Sequence, residues 1–514
     1  MKKNLMKYMF FLALVLTLAL GTSCSDYFDQ QPQGEWVQGD EGGGGSFQSD
    51  VFTLYAKIRG YHVTSGTTAL AIHCFRSEDA EKGSTASDGA AHGKMFDDFE
   101  YIATNGLIGS YWTANYEIII LANKIISDIA DAESESGTLP EGDLINKSEA
   151  HFFRAYAFFN LVRAFGDVPK IDFKIENAEE ANIPKSPASE IYALIDADLT
   201  AAEQNLPKTW PPVYIGRLTW GAARALHART YMMRNDWNNM YTASTDVVHS
   251  GIYNLNTAYN KIFRESGENS SESVFELQCT ATASQPGTND IGSQFAQVQG
   301  VRGAGEWNLG WGWHTPTQLM ADAFETSDPR KNETLLYFIK TGEDPSTIPA
   351  NEPWGEKPIA NASVVNKYYN KKAYTDPSLR AQFTKGGFWY NIRLIRYSDV
   401  VLMAAESANE LGKAGEAMEY LEMVRARARG NNSSILPKVT TTNQVDLRNA
   451  IRHERRVELG MEFDRFYDLI RWGVATEVLH AAGKTNYQPK HALLPLPQNE
   501  IDKSNGVLVQ NPNY

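Results

Sequence analysis

RYSDVVLMAAESANELGKAGEAMEYLEMVRARARG (residues 396–430) and, after a polar spacer, IRHERRVELGMEFDRFYDLIRWG (residues 451–473) carry the pattern that decides the fold. In the first stretch Val400, Val401, Ala404, Ala408 and Leu411 recur at steps of three and four, and Gly412 stops the run. Ala417, Met418, Leu421 and Val424 then line one face of a second helix. The small residues Ala404, Ala405 and Ala408 let two helices approach closely, as stacked helical hairpins require. In the second stretch Glu454, Glu458 and Glu462 form a stripe flanked by Arg455 and Arg465. Ile451, Val457, Leu459, Met461, Phe463 and Phe466 take most of the remaining circumference. A helix apolar on most sides is buried, so its charges must pair internally. The stripe reads either as an ionic network shaping a binding surface or as buried ion pairs that lock the core, and burial favours the second. Gly460 divides the segment into two shorter helices.

The chain has 514 residues, 42% of them hydrophobic, enough for a large core. A net charge of −14 disfavours a nucleic-acid partner. Cys24, Cys74 and Cys279 show no metal-ligand spacing, and no H-E-x-x-H occurs. Residues 1–23 hold Lys2, Lys3 and Lys7, then an apolar run too short for a membrane span: a signal peptide. It ends in LALGTSC, which puts Cys24 where a lipoprotein is cut and lipidated, although Gly21 stands where the usual lipobox has Leu. Residues 24–46, SDYFDQQPQGEWVQGDEGGGGS after the cysteine, read as a flexible tether, with Asp26 and Asp29 close behind the lipid.

The remainder, 47–514, reads as one mainly α-helical domain. A helical scaffold spans about 47–258 and 391–514, and a loop-rich excursion spans about 259–390. Helices are expected from Phe52, over Trp112–Ile129, over Ser148–Phe165 with a serine cap, and over Pro187–Asn205. A helical hairpin with its turn at Asn235-Asp236 follows, matching the 396–424 pair in a tetratricopeptide-like way. Short strands are expected at Phe275–Leu277 and Val364–Tyr369.

Several segments carry a family resemblance. AHFFRAYAFFNLVRAFGDVP (150–169), AGEWNLGWGWHTPTQLMADAFETSDPRK (304–331), ERRVELGMEFDRFYDLIRWG (454–473) and LLPLPQNEIDKSNGVLVQNPNY (493–514) resemble the SusD/RagB family. These are surface lipoproteins of Bacteroidetes. The resemblance implies a SusD-like fold anchored to the outer membrane through Cys24. It also implies non-catalytic capture of an oligosaccharide or polysaccharide, delivered to a SusC-like TonB-dependent transporter barrel, with no cofactor. The same architecture taking peptides is the alternative.

Binding residues are expected in the excursion, since loops on a rigid scaffold carry recognition. Sugar rings stack on indoles, and their hydroxyls need carboxylate, amide and guanidinium partners. Trp307 and Trp313, with His314, Arg302 and nearby Glu306, make a candidate platform, and Trp354, Tyr374 and Trp389 lie in further loops. Trp311, in its G-W-G setting, reads as structural. The polar loop 77–93 adds Asp79 and Asp88 as sugar-facing candidates. With Glu81 these acids suit calcium in type, but their spacing is not that of an EF-hand. No G-x-S-x-G, Walker loop or dinucleotide fingerprint occurs. A glycoside hydrolase stays the rival reading, because 62 acidic residues offer many carboxylate pairs whose separation a sequence does not show.

Overall fold

The computed structural model describes residues 44–339 and 364–514. The leader, Cys24, Asp26, Asp29 and Trp354 lie outside the described residues. The long helices are α1 (Gln48–Arg59), α2 (Thr67–His73), α3 (Gly106–Ser136), α4 (Glu141–Phe165), α5 (Ala188–Asn205), α6 (Trp220–Met233), α7 (Trp237–Val248), α8 (Tyr397–Glu410), α9 (Ala414–Arg429), α10 (Gln444–Glu458) and α11 (Arg465–Arg471). Strands are short: β1 (Ala80–Gly83), β2 (Val168–Pro169), β3 (Lys185–Ser186), β4 (Ser273–Leu277), β5 (Trp313–Pro316), β6 (Leu335–Tyr337), β7 (Tyr368–Asn370) and β8 (Ile392–Arg396). Among the described residues they pair only in twos, β1 with β5, β2 with β3, β4 with β8 and β6 with β7.

The fold is mainly α, as the periodicity predicts. In α3, Ile118, Ile119, Ala122 and Ile125 are fully buried while Ile126 is only partly so. Asn105 caps this helix by accepting from Leu107 N, and Gly137 ends it at φ +77°. The helix before Gly166 starts seven residues earlier than expected, at Glu141, so Ser148 is not its cap. The Ser148 hydroxyl instead donates to the Ala201 carbonyl of the neighbouring α5.

Hairpins α6–α7 and α8–α9 are far apart in sequence and adjacent in space. Helix α8 packs on α7, with Ala404, Ala405 and Ala408 fully buried. Strands β4 and β8 pair antiparallel, Leu277 opposite Ile392, and bring together the two ends of the 278–391 stretch.

Helix α10 ends at Glu458, and Met461 takes φ +66° before α11. The break thus falls where expected, and Gly460 lies close against the Met320 side chain. A Cβ there would stand 2.2 Å from Met320 Cε. The acidic stripe forms a largely buried ionic seam, with Glu462 at its partly exposed end. Glu454 and Glu458 are both 0% exposed. Arg330 Nη1 donates to Glu454 Oε1 at 2.6 Å and Glu458 Oε2 at 3.2 Å, Arg396 Nη1 to Glu458 Oε1 at 3.0 Å, and Arg427 Nη2 to the same oxygen at 2.5 Å. Burial alone would raise the Glu458 carboxyl; Arg427, Arg396 and Arg330 outweigh it and hold the group well below the usual range. Because Arg330 and Lys372 belong to the excursion, these pairs fasten it to the scaffold. Lys372 Nζ donates to Glu462 Oε1 at 2.8 Å, and burial brings this lysine down to about 8.

Candidate functional site

The ladder of β1 with β5 sets Gly83 opposite Trp313 and brings the polar 84–93 loop against the excursion. Gly83 and Gly312 both take positive φ, +75° and +72°, where the two chains touch. A Cβ on Gly83 would meet the Gly312 carbonyl oxygen at 2.4 Å, and Ser84 N donates to that oxygen at 2.6 Å. The loop then curls around Lys82. Its ammonium donates to the carbonyls of Gly83, Thr85 and Asp88 at 2.9, 2.9 and 2.8 Å. Three carbonyls converging on one cation fix the loop's shape. Burial lowers the lysine's pKa.

On the loop's outer side Ser84 Oγ donates to Asp88 Oδ2 at 2.7 Å. Arg302, from the excursion, donates through Nη1 to Ser84 Oγ at 2.6 Å and also to Asp88 Oδ2. The Arg302 and Asp88 side chains remain 37% and 34% exposed. This open rim presents a guanidinium and a carboxylate, held together by the buried Ser84 hydroxyl between them. It suits a ligand rich in hydroxyl groups.

The indoles expected to form a platform lie inside. Trp313, 7% exposed, stacks on Phe75 at 6.0 Å and has the Lys82 ammonium 5.1 Å from its ring. Gly89 and Gly93 lie against its edge, where added Cβ atoms would come within 2.1 and 2.4 Å. Trp307, 4% exposed, meets Phe338 edge-on at 4.9 Å and leans on Tyr374 at 6.2 Å. Its Nε1 has no hydrogen-bond partner among the described residues. Neither indole has a face left for a sugar ring, because packing a Gly-rich excursion consumes its aromatics as core. Trp311, expected as the structural one, is the partly exposed member of the three.

The other candidates are similarly engaged. His314 is buried at φ +56°, its Nδ1 2.8 Å from Gln299 Oε1, and burial pushes its pKa down to about 3, which keeps the ring neutral. Tyr374 is buried under the Arg380 guanidinium, 4.7 Å from its ring, and Trp389 donates from Nε1 to Glu265 Oε1 at 2.9 Å. Asp79 is buried and accepts from Arg456 Nε at 3.0 Å, with Arg465 Nε at 3.4 Å. Of the calcium-type acids, Asp79 and Asp88 are thus each paired with arginine. Among the described residues no group of three or more His, Cys, Asp or Glu side chains is arranged to hold a metal ion.

Comparison with known proteins agrees with the helical architecture. Residues 271–514 match the family described as "SusD family", and residues 62–232 match "Starch-binding associating with outer membrane". The chain belongs to the SusD/RagB family. SusD-like protein P2 of Formosa agariphila is 28% identical over 98% of this chain and 99% of its own length. A solved laminarin-binding SusD-like protein is 25% identical, with a TM-score of 0.73 over 91% of this chain and 98% of that one. Surface glycan-binding protein A from Bacteroides thetaiotaomicron, solved with laminarihexaose, is 22% identical with a TM-score of 0.73 over 91% and 99%. In this SusD/RagB chain, the structure brings Asp88 and Arg302 together at the rim, with Trp313 beneath them. It keeps Trp307 with Tyr374 in a separate buried cluster and pairs Asp79 with Arg456 and Arg465. Sequence reading missed Lys82 and Ser84, which have no periodic or motif signal and act only through the loop's closure.

Proposed function

We propose that this protein captures a glycan at the outer surface of the cell without cleaving it, and hands it to a SusC-like TonB-dependent barrel. In this reading residues 1–23 are the removed signal peptide, Cys24 carries the lipid, and residues to 46 tether the binding domain. The observation that carries the reading is the rim formed by Asp88 and Arg302, about one-third exposed and joined by the buried Ser84 hydroxyl, set where a shaped loop meets the excursion. The laminarin and laminarihexaose named for two structural neighbours support glycan as the ligand class. Trp311, partly exposed and next to the Gly312 that lies against Arg302, supplies the apolar face on which a ring stacks.

Calorimetric titration of laminarihexaose and a panel of other oligosaccharides into the wild type and Arg302→Ala tests this. Loss of a charge-assisted hydrogen bond to ligand costs ~1.5–3 kcal/mol, so affinity should fall roughly tenfold to a hundredfold. Unchanged affinity for every sugar that binds would remove the rim from the site. Release of reducing sugar by purified protein would overturn the non-catalytic reading.

A further inference from the structure

A cavity of about 240 Å³ opens between the loop that leads into α6 and the segment 269–276; it shares no residue with the rim. One wall is aromatic. Trp210 lines it with Nε1 already donating to the Leu218 carbonyl at 2.8 Å, and the Arg217 guanidinium sits 4.3 Å from its ring. Tyr253 lines it too, with its hydroxyl 2.9 Å from Thr219 Oγ1. The opposite wall carries Asn269, Ser270, Ser271 and Ser273.

That polar wall is ordered by its own bonds. Asn269 and Gln278 exchange amide bonds at 2.9 and 3.0 Å, Ser271 Oγ donates to Asn254 Oδ1 at 2.7 Å, and Ser273 Oγ donates to Glu276 Oε2 at 2.5 Å. The Ser270 and Thr209 side chains, at the cavity, make no hydrogen bond among the described residues. The buried charges in the walls are balanced within the protein, and Lys208, exposed at the mouth, has its ammonium 5.8 Å from the Trp220 ring. Arg217 Nη2 pairs with Glu149 Oε2 at 2.6 Å, and Glu276 has Arg393 Nε at 3.7 Å.

An aromatic wall facing pre-oriented hydroxyl and amide groups, with no spare buried charge, matches a neutral ring bearing several hydroxyls. The volume lies below the ~300–1,000 Å³ of pockets for drug-sized ligands, which fits one ring and not a chain of them. We propose that this cavity is a second saccharide site, which holds a single neutral sugar unit of a glycan between Trp210 and the 269–273 wall. It rests on the glycan-binding reading only for its ligand class.

The test labels the full chain, in detergent, with 5-fluorotryptophan and follows its eleven tryptophans by fluorine NMR. Trp210→Phe assigns the Trp210 signal. Glucose, galactose, mannose, xylose and glucuronate are the probes, each titrated singly. At least one neutral sugar should shift the Trp210 signal saturably, and Thr209→Arg, placed at the exposed mouth, should weaken that response roughly tenfold or more. Ser270→Arg, from the opposite wall, gives the same test if the first variant does not fold. Arg302→Ala should leave the response unchanged. No Trp210 response to any neutral sugar, a response to glucuronate alone, or a response that survives both blocking variants overturns the proposal. If laminarihexaose binding falls with Arg302→Ala while Trp210 stays silent, the rim reading stands and this one fails. If Trp210 responds while no oligosaccharide binding depends on Arg302, the rim reading fails and this one stands.

Discussion

The seam along α10 and the rim at Asp88 and Arg302 are built from the same pair of functional groups in opposite surroundings. At the seam Glu458 is fully buried and meets Arg330, Arg396 and Arg427, so its carboxylate is answered by protein groups alone. At the rim a single carboxylate and guanidinium stay about one-third exposed. Water competes with such a pair, so its contribution to stability is ~0–1 kcal/mol, whereas breaking a buried pair from one side costs ~3–5 kcal/mol. The lesson is one of exchangeability. The seam's bonds are too costly to break and hold the excursion in place. The rim's bonds are cheap enough to be traded for a ligand's.

The largest effect expected from breaking this contrast is at Glu458. Glu458→Ala leaves three guanidinium groups facing a hole and should lower unfolding stability by ~3–5 kcal/mol in a denaturant titration. An unchanged midpoint would show that the seam is not the clamp described.

Trp313→Ala follows closely. A buried indole lost from between Phe75 and Lys82 should cost ~3–5 kcal/mol, and the 84–93 loop should loosen with it. A variant of native stability with weakened glycan binding would return Trp313 to the ligand surface.

Acid sharpens the comparison in a graded way. His314 is held neutral down to about 3, against ~6.5 in an unfolded chain, so the unfolded state binds the extra proton first. Stability should therefore begin to fall below pH ~6.5. Glu458 and Glu462 are likewise held below the ordinary carboxylate range: burial opposes their ionisation, but their arginine and lysine partners outweigh it. Their contribution is complete above pH ~4 and is lost as the pH drops further, which steepens the curve. Melting temperatures measured between pH 8 and pH 3 check this, and a flat profile would contradict the buried seam.

The smallest stability effect is expected at the rim. Asp88→Ala should cost no more than ~1 kcal/mol, while affinity for any glycan bound there drops several-fold or more. A stability loss comparable to that of Glu458→Ala would make the rim a second clamp.

The α8–α9 hairpin was legible because burial on one face imposes a period of 3.6, and Val400, Val401, Ala404 and Ala408 display it. The stripe Glu454–Glu458–Glu462 was legible for a related reason. Charges on an otherwise apolar helix have to find partners inside. Strand β1 was not legible, since AEKG has no strand pattern of its own and exists only because β5 lies beside it. The tryptophans were misjudged for the same reason. Trp307, Trp311 and Trp313 sit in a Gly-rich stretch with no periodicity, so nothing local separates the two buried rings from the partly exposed one.

By itself, then, the sequence determined the helical scaffold, the family and the internal pairing of the acidic stripe. Each follows from local periodicity or from the cost of an unpaired buried charge. Tertiary structure alone decided which arginines answer Glu458, that Lys82 gathers the carbonyls of the 84–93 loop, and that Arg302 meets Asp88 in the open. Those outcomes depend on how loops close and on residues meeting from distant parts of the chain, Arg302 and Asp88 being 214 positions apart. Burial there is set by the approach of neighbours, not by the residue's own place in the chain.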